Sequence, residues 1–328
     1  MSTCTEPRPR VARKCFMRNA FVVLTMVMAG FHAAAAPGRM VDIGGRRLHL
    51  VCSGSGFPTV IFESGSGEGW YSWALVQGEV GQHVRACSYD RSGIGYSDPD
   101  PRPRSVAHLI NDLHELLLRS GEQGPFVLVG HSLGGLLVRR YAMTYRGDVA
   151  ALVFIDSAHE DASRGVPLEL EEASKKALAA RGERIKSWRT SGRFEVMNFH
   201  SNLPPDLAAQ LRPLSASDNW WTARFVENML PDVQDDLSPE QRRLDVPVVV
   251  ITATQWPTPA RFPAGPWNQN MANRLCLQKE LATRSSRTKH LFTHTGHHVQ
   301  FEDPDLVIAS IIEVASGAEV GRSSPHDN

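Results

Sequence analysis

The chain has 328 residues, 42% hydrophobic and 21% charged, a balance that suits one large globular domain or a core with an insertion. Its 35 basic and 35 acidic side chains cancel to a formal net charge of +0, so nothing in the electrostatics points to nucleic acid or an acidic membrane surface.

Residues 1–36 have the layout of a secretory signal peptide. Arg8, Arg10, Arg13, Lys14 and Arg18 form a basic start, residues 20–31 (AFVVLTMVMAGF) an apolar stretch, and Ala33 to Ala36 offer small residues for cleavage after Ala35 or Ala36. A run of about 12 apolar residues is too short to cross a bilayer, so export to the periplasm or beyond is expected, with no stable membrane span in the mature protein. Cleavage would leave 30 basic against 34 acidic residues, and Cys52, Cys87 and Cys276 of the five cysteines. An odd number leaves at least one thiol unpaired, and no C-x-x-C spacing points to zinc or redox chemistry.

Residues 39–51 read as two short strands joined at Gly44-Gly45, and 59–62 as the next strand. The glycine-rich loop 63–69 lacks a lysine placed for phosphate, which excludes a P-loop. A helical stretch opens at Trp70, and 83–89 gives a fourth strand. Residues 105–119 carry Val106, Leu109, Ile110, Leu113, Leu116 and Leu117 on one helical face.

Residues 125–141 (PFVLVGHSLGGLLVRRY) begin as an apolar, β-branched strand and end at helical spacing. Between them Gly130-His131-Ser132-Leu133-Gly134 fits G-x-S-x-G, a nucleophile elbow whose required context is this strand and helix. The turn strains Ser132, and glycine at 130 and 134 keeps its neighbours free of side chains. The hydroxyl then stands beside a helix N-terminus, whose dipole and free N–H groups suit developing negative charge.

A buried strand follows at 148–155, ending in Asp156. Residues 160–244 turn to charged helical patterns, 246–252 resume the buried strand, and a helix near 268–283, a strand at 289–294 and a helix at 304–314 close the chain. The polar tail from Gly317 reads as disordered. Strands alternating with helices imply a mostly parallel sheet.

An activated serine needs a base, an orienting acid and an oxyanion hole. His297 directly follows the last strand, and a histidine after the nucleophile in chain order suits this elbow. With it, four motifs stand in order: the Glu63 loop, Tyr89-Asp90-Arg91-Ser92-Gly93-Ile94-Gly95-Tyr96-Ser97-Asp98, the elbow, and Gly296-His297-His298-Val299-Gln300-Phe301-Glu302-Asp303-Pro304. Across about 42–316 the chain resembles the α/β-hydrolase fold superfamily.

The resemblance implies an α/β fold with a mostly parallel eight-stranded sheet of order 1-2-4-3-5-6-7-8, a helical cap after strand six, and Ser-acid-His hydrolysis without a cofactor or metal. The domain layout becomes signal peptide 1–36, core 37–159, cap 160–244, core 245–316 and tail 317–328. Ser132 takes the nucleophile's place and His297 the base's, with His298 the alternative. Leu133 N–H is the first oxyanion donor and Ser66 N–H the second, with Gly65 next in line. Glu63 and Asp90 read as structural. Most relatives carry the acid after strand seven, but Thr252-Ala253-Thr254-Gln255-Trp256-Pro257 has none. A subset uses the end of strand six, which gives Asp156, with Glu160 or Asp161 as alternatives. The sheet order also sets strand two beside strand four, so Cys52 and Cys87 form a candidate disulfide, while Cys276 reads as core.

The functional expectation is an exported serine esterase or lipase-like hydrolase, cleaving a carboxylic ester or related acyl bond of an apolar small molecule. Trp188, Phe194, Phe199, Trp220, Trp221 and Phe225 of the cap are candidates for the substrate pocket or for packing. Serine at the elbow argues against haloalkane dehalogenases and epoxide hydrolases, which use aspartate there. Carbon–carbon hydrolysis, peptidase or haloperoxidase chemistry on the same triad, and a non-catalytic binding protein on this fold, are the alternatives.

Overall fold

Eight strands form one sheet of order β1-β2-β4-β3-β5-β6-β7-β8 in a computed structural model that describes residues 37–194, 201–230, 233–235, 237–257, 259 and 264–322. β1 (Arg39–Asp42) and β2 (Arg47–Ser53) make the hairpin, its turn held by Asp42 Oδ1, which accepts from the N–H groups of Gly44 and Gly45. β3 (Val60–Glu63) leads through loop 64–69, the 3-10 turn Trp70–Trp73 and the short α1 (Gln77–Val80) into β4 (Ala86–Tyr89). β2 pairs antiparallel with β1 and β4, and every later pairing is parallel. Cys52 faces Cys87 across β2 and β4 with Cα atoms 4.1 Å apart, and the two are joined as a disulfide.

α2 (Val106–Ser120) starts at Ser105, whose side chain accepts from His108 N–H, and stops at Gly121 in the left-handed region. β5 (Phe126–His131) runs into α3 (Leu133–Thr144), and β6 (Val149–Ile155) follows. The central strands are apolar on both faces because helices cover both. Leu128, Leu152, Phe154 and Val250 pack on the α2–α3 side with Leu113, Leu116 and Leu136, whereas Val129, Val153 and Ile251 pack on the other with Trp73, Val307 and Ile311. Alternation along each strand sends neighbours to opposite layers.

Between β6 and β7 (Val248–Ala253) the chain forms α4 (Leu168–Ser191), α5 (Pro205–Ser215) and α6 (Asp218–Glu227). α7 (Ala264–Leu281), β8 (Thr288–Thr293), α8 (Val299–Glu302) and α9 (Pro304–Arg322) complete the chain. The tail expectation needs correcting. α9 runs on from Gly317 to Arg322, because Ala315 and Ala318 still pack against the core, and only 323–328 lie outside the described residues. Cys276 is exposed on α7 rather than core. The leader at 1–36 and Phe199 also lie outside the described residues. No described helix is long and apolar enough to cross a membrane.

Candidate active site

At the carboxyl edge of the sheet, β5 turns into α3 at Ser132, with φ 52° and ψ −119°. Among the described residues, the non-glycine positions with positive φ are Ser132 and Asp156, both at this edge. Backbone strain of this kind costs about 1–3 kcal/mol and persists where surrounding contacts over-determine it. Here Ser132 N–H donates to Ile155 O and its carbonyl accepts from Gly135 and Ala158 N–H, while Asp156 N–H donates to Ile251 O. The glycines are steric requirements: a Cβ on Gly130 would lie 2.5 Å from the Gly134 carbonyl, and one on Gly134 2.1 Å from Glu63 O.

His297, between β8 and α8, bridges the two strained residues. Its Nε2 lies 2.9 Å from Ser132 Oγ and its Nδ1 2.6 Å from Asp156 Oδ2. Burial, with His131, His298 and Arg274 nearby, holds its pKa well below the ordinary value, so the imidazole is the neutral form a base requires. Asp156 is shut off from water, and each of its oxygens has two partners. Oδ2 accepts from His297 and from Trp256 Nε1 at 3.0 Å; Oδ1 accepts from Ala253 N–H at 3.0 Å and from Arg274 Nη2. The stretch after β7, where relatives of the resemblance carry the acid, thus supplies donors to Asp156.

The alternatives are engaged elsewhere. His298 Nε2 lies 2.9 Å from Glu68 Oε1. Asp161 pairs with Arg242. Glu160 is held by Arg139 and Arg284, which overcome its burial and lower its pKa to about 2.

Leu133 opens α3, and the first N–H groups of a helix have no partner within it. The loop of Gly65 and Ser66 lies against the elbow, since a Cβ on Gly65 would stand 2.9 Å from His131 Nδ1. Buried Arg91 donates to Ser64 O at 2.7 Å and Gly65 O at 2.6 Å. A trans peptide sets its N–H opposite its C=O, so the N–H groups of Gly65 and Ser66 face away from Arg91. Arg91 also pairs with Glu63, and with Glu227 of α6. Glu63 is structural, its burial raising its pKa against the pull of Arg91. Asp90 accepts from Trp70 and Tyr96 N–H and so orders its own loop.

A cavity of about 270 Å³ opens on Ser132, Asp156 and His297, with Trp256, Trp267, Met271 and Leu277 among its walls. Its large apolar walls come from α7 and the turn after β7, with Ala158 and Ala162 added from the stretch after β6. Of the described cap aromatics, Trp188 meets Phe194 and Trp221, and buried Trp220 stacks on Tyr71. The Phe225 ring faces α4, where a Cβ on Gly182 would stand 3.3 Å from it. Sequence reasoning missed Glu68, Arg274 and Glu227 altogether, and Trp256 in this role. The one sequence signal that could have found the pocket is the run of Trp and Pro at Trp256, Pro257, Pro259, Pro263, Pro266 and Trp267.

The Alpha/beta hydrolase family model matches residues 50–310. A protein of Hormonema carpetanum named "Probable transporter efuK" is 25% identical over 312 residues, 87% of this chain and 43% of its own length. Epoxide hydrolase 3 of Xenopus tropicalis is 34% identical over 127 residues, 38% of this chain and 34% of its own length. The chain spans less than half the length of these curated relatives. Among solved structures, the enol-lactonase from Burkholderia xenovorans LB400 superposes with a TM-score of 0.61 at 17% identity, covering 85% of this chain and 100% of that one. Sheet order, elbow and family match agree: the chain belongs to the alpha/beta hydrolase family.

Proposed function

We propose that this protein is an exported serine hydrolase that cleaves a carboxylic ester or related acyl bond of an apolar small molecule. The observation that carries the reading is the unbroken chain from Ser132 Oγ through His297 to Asp156. His297 takes the hydroxyl proton as Ser132 attacks the carbonyl carbon, and Asp156 stabilises the resulting imidazolium. Leu133 N–H and the Gly65–Ser66 peptides receive the oxyanion. His297 passes its proton to the departing alcohol. Water, activated in turn by His297, then releases the acid and restores Ser132.

Local similarity to an epoxide hydrolase does not transfer that activity, because the elbow carries serine where the resemblance requires aspartate. The apolar walls of the cavity favour an aliphatic or aromatic acyl group. Export rests on the layout of residues 1–36. A fluorophosphonate probe should label the wild-type protein and not Ser132→Ala, and a panel of chromogenic esters should be hydrolysed. Absence of labelling would remove the serine-hydrolase reading. N-terminal sequencing of protein recovered outside the cytoplasm should begin at Ala36 or Pro37, and an intact Met1 would refute processing.

A further inference from the structure

Arg274 has no part in a Ser-His-Asp mechanism as usually written, yet it is built into this one. It sits on α7, 118 residues from Asp156, and its Nη2 donates to Asp156 Oδ1. Its guanidinium carbon lies 4.5 Å from the centre of the Trp256 ring. That ring donates to Asp156 Oδ2 through Nε1 and lies 4.4 Å from the imidazole of His297. Arg274, Trp256, Asp156 and His297 are therefore one closed cluster, in which the Arg274 side chain is only 16% exposed.

This division of the carboxylate has a chemical consequence. With Oδ1 held by Ala253 N–H and Arg274, only Oδ2 is presented to His297, and rotation of the carboxyl group would break two charge-assisted bonds. The pair Arg274⁺ and Asp156⁻ is also neutral overall. When His297 takes the serine proton, the cluster passes from zero to a charge of +1, so Arg274 opposes the imidazolium that Asp156 supports. The other ionisable groups facing His297 are His131 from β5, Glu68 from the loop after β3, and adjacent His298. Of these, Glu68 is occupied by His298 at 2.9 Å.

We infer that Arg274 is a positioning residue that fixes Asp156 for His297 and, together with the burial of the ring, contributes to the acid limit of the pH range in which His297 acts as base. This rests on the serine-hydrolase reading and deepens it. The cavity wall carries Arg274 as well, so the charge that holds the acid lies next to the bound acyl group.

The test is the rate of fluorophosphonate labelling of Ser132 against pH, which needs the base but not the natural substrate. Removing the positive charge favours the imidazolium, so Arg274→Met and Arg274→Gln should move the acid limb upward by roughly one pH unit. Their plateau rates should fall about tenfold or more as Asp156 loses its clamp. Arg274→Lys keeps the charge but not the planar stack on Trp256, so its limb should stay with the wild type while its plateau drops. Far-ultraviolet circular dichroism checks each variant's fold, and the Gln and Lys variants carry the test if Met disrupts it. A limb unmoved in a folded neutral variant overturns the inference while leaving the serine-hydrolase reading intact. A wild-type protein that never labels overturns both.

Discussion

Arg91 Nη2 stands 2.8 Å from Glu227 Oε2, and both side chains are almost wholly withdrawn from water. The pair ties the loop after β3 to α6. Arg91 grips Ser64 and Gly65 by their carbonyls, Glu227 accepts from Gly67 N–H, and Arg104 completes the partners of Glu227. The loop offered as half of the oxyanion hole is thus held on one side by the core and on the other by the insertion between β6 and β7.

Removing one member leaves a buried charge uncompensated. Glu227→Gln should lower stability by about 3–5 kcal/mol and slacken loop 64–67. Thermal unfolding monitored by circular dichroism, beside labelling rates below the transition, measures both. A variant as stable and as fast as wild type would mean the ion pair does not support the site.

Asp156→Asn tests the orienting acid. The amide would keep the shape of the side chain but could not balance an imidazolium, so turnover of a chromogenic ester should fall by roughly 10⁴-fold. Near-wild-type rates would transfer the role to another carboxylate, although Glu160 and Asp161 are tied to arginines.

The elbow was legible because everything that specifies it is local: an apolar strand, two glycines and a helix within 17 residues. The sheet order followed from the resemblance, and the structure shows that order. Asp156 could be placed at the end of β6, but its other partners could not be read. Arg274 and Trp256 lie 118 and 100 residues away, and only the packing of α7 and the turn after β7 brings them in. Composition misled at two points. Cys276 reads as core but is exposed on α7, and the polar tail hides the alanines that carry α9 onward.

The pH dependence follows from His297. Its lowered pKa keeps the imidazole neutral through neutral pH, and protonation removes the base only on further acidification. The acid limb of kcat/KM should therefore lie below pH 6.5, the ordinary histidine value, with a plateau above it. A midpoint at or above 6.5 would mean that the Asp156 carboxylate outweighs the desolvation of the partly buried ring.

Thiol titration of the unreduced protein lacking residues 1–36 should find one reactive group, Cys276. Replacing Cys52 and Cys87 by serine should cost about 3–4 kcal/mol, the lower part of the range of about 3 to 4.7 for closed loops of 15 to 100 residues, here with a sequence separation of 35. Three reactive thiols would refute the bridge.

The cavity beside Ser132 limits the length of acyl chain it can hold. Each methylene buried in an apolar pocket is worth about 0.8 kcal/mol, close to a fourfold change in rate where it is expressed in the transition state. From acetyl upward, kcat/KM for p-nitrophenyl esters should rise by up to that factor per carbon and then level off where the space of about 270 Å³ is filled. Met271 lines the wall, and Met271→Trp should bring the plateau to shorter chains while leaving the acetyl ester unaffected. A uniform loss across all chain lengths would mean that the cavity does not hold the acyl group, and an unchanged profile would place the group elsewhere, against the insertion rather than against α7.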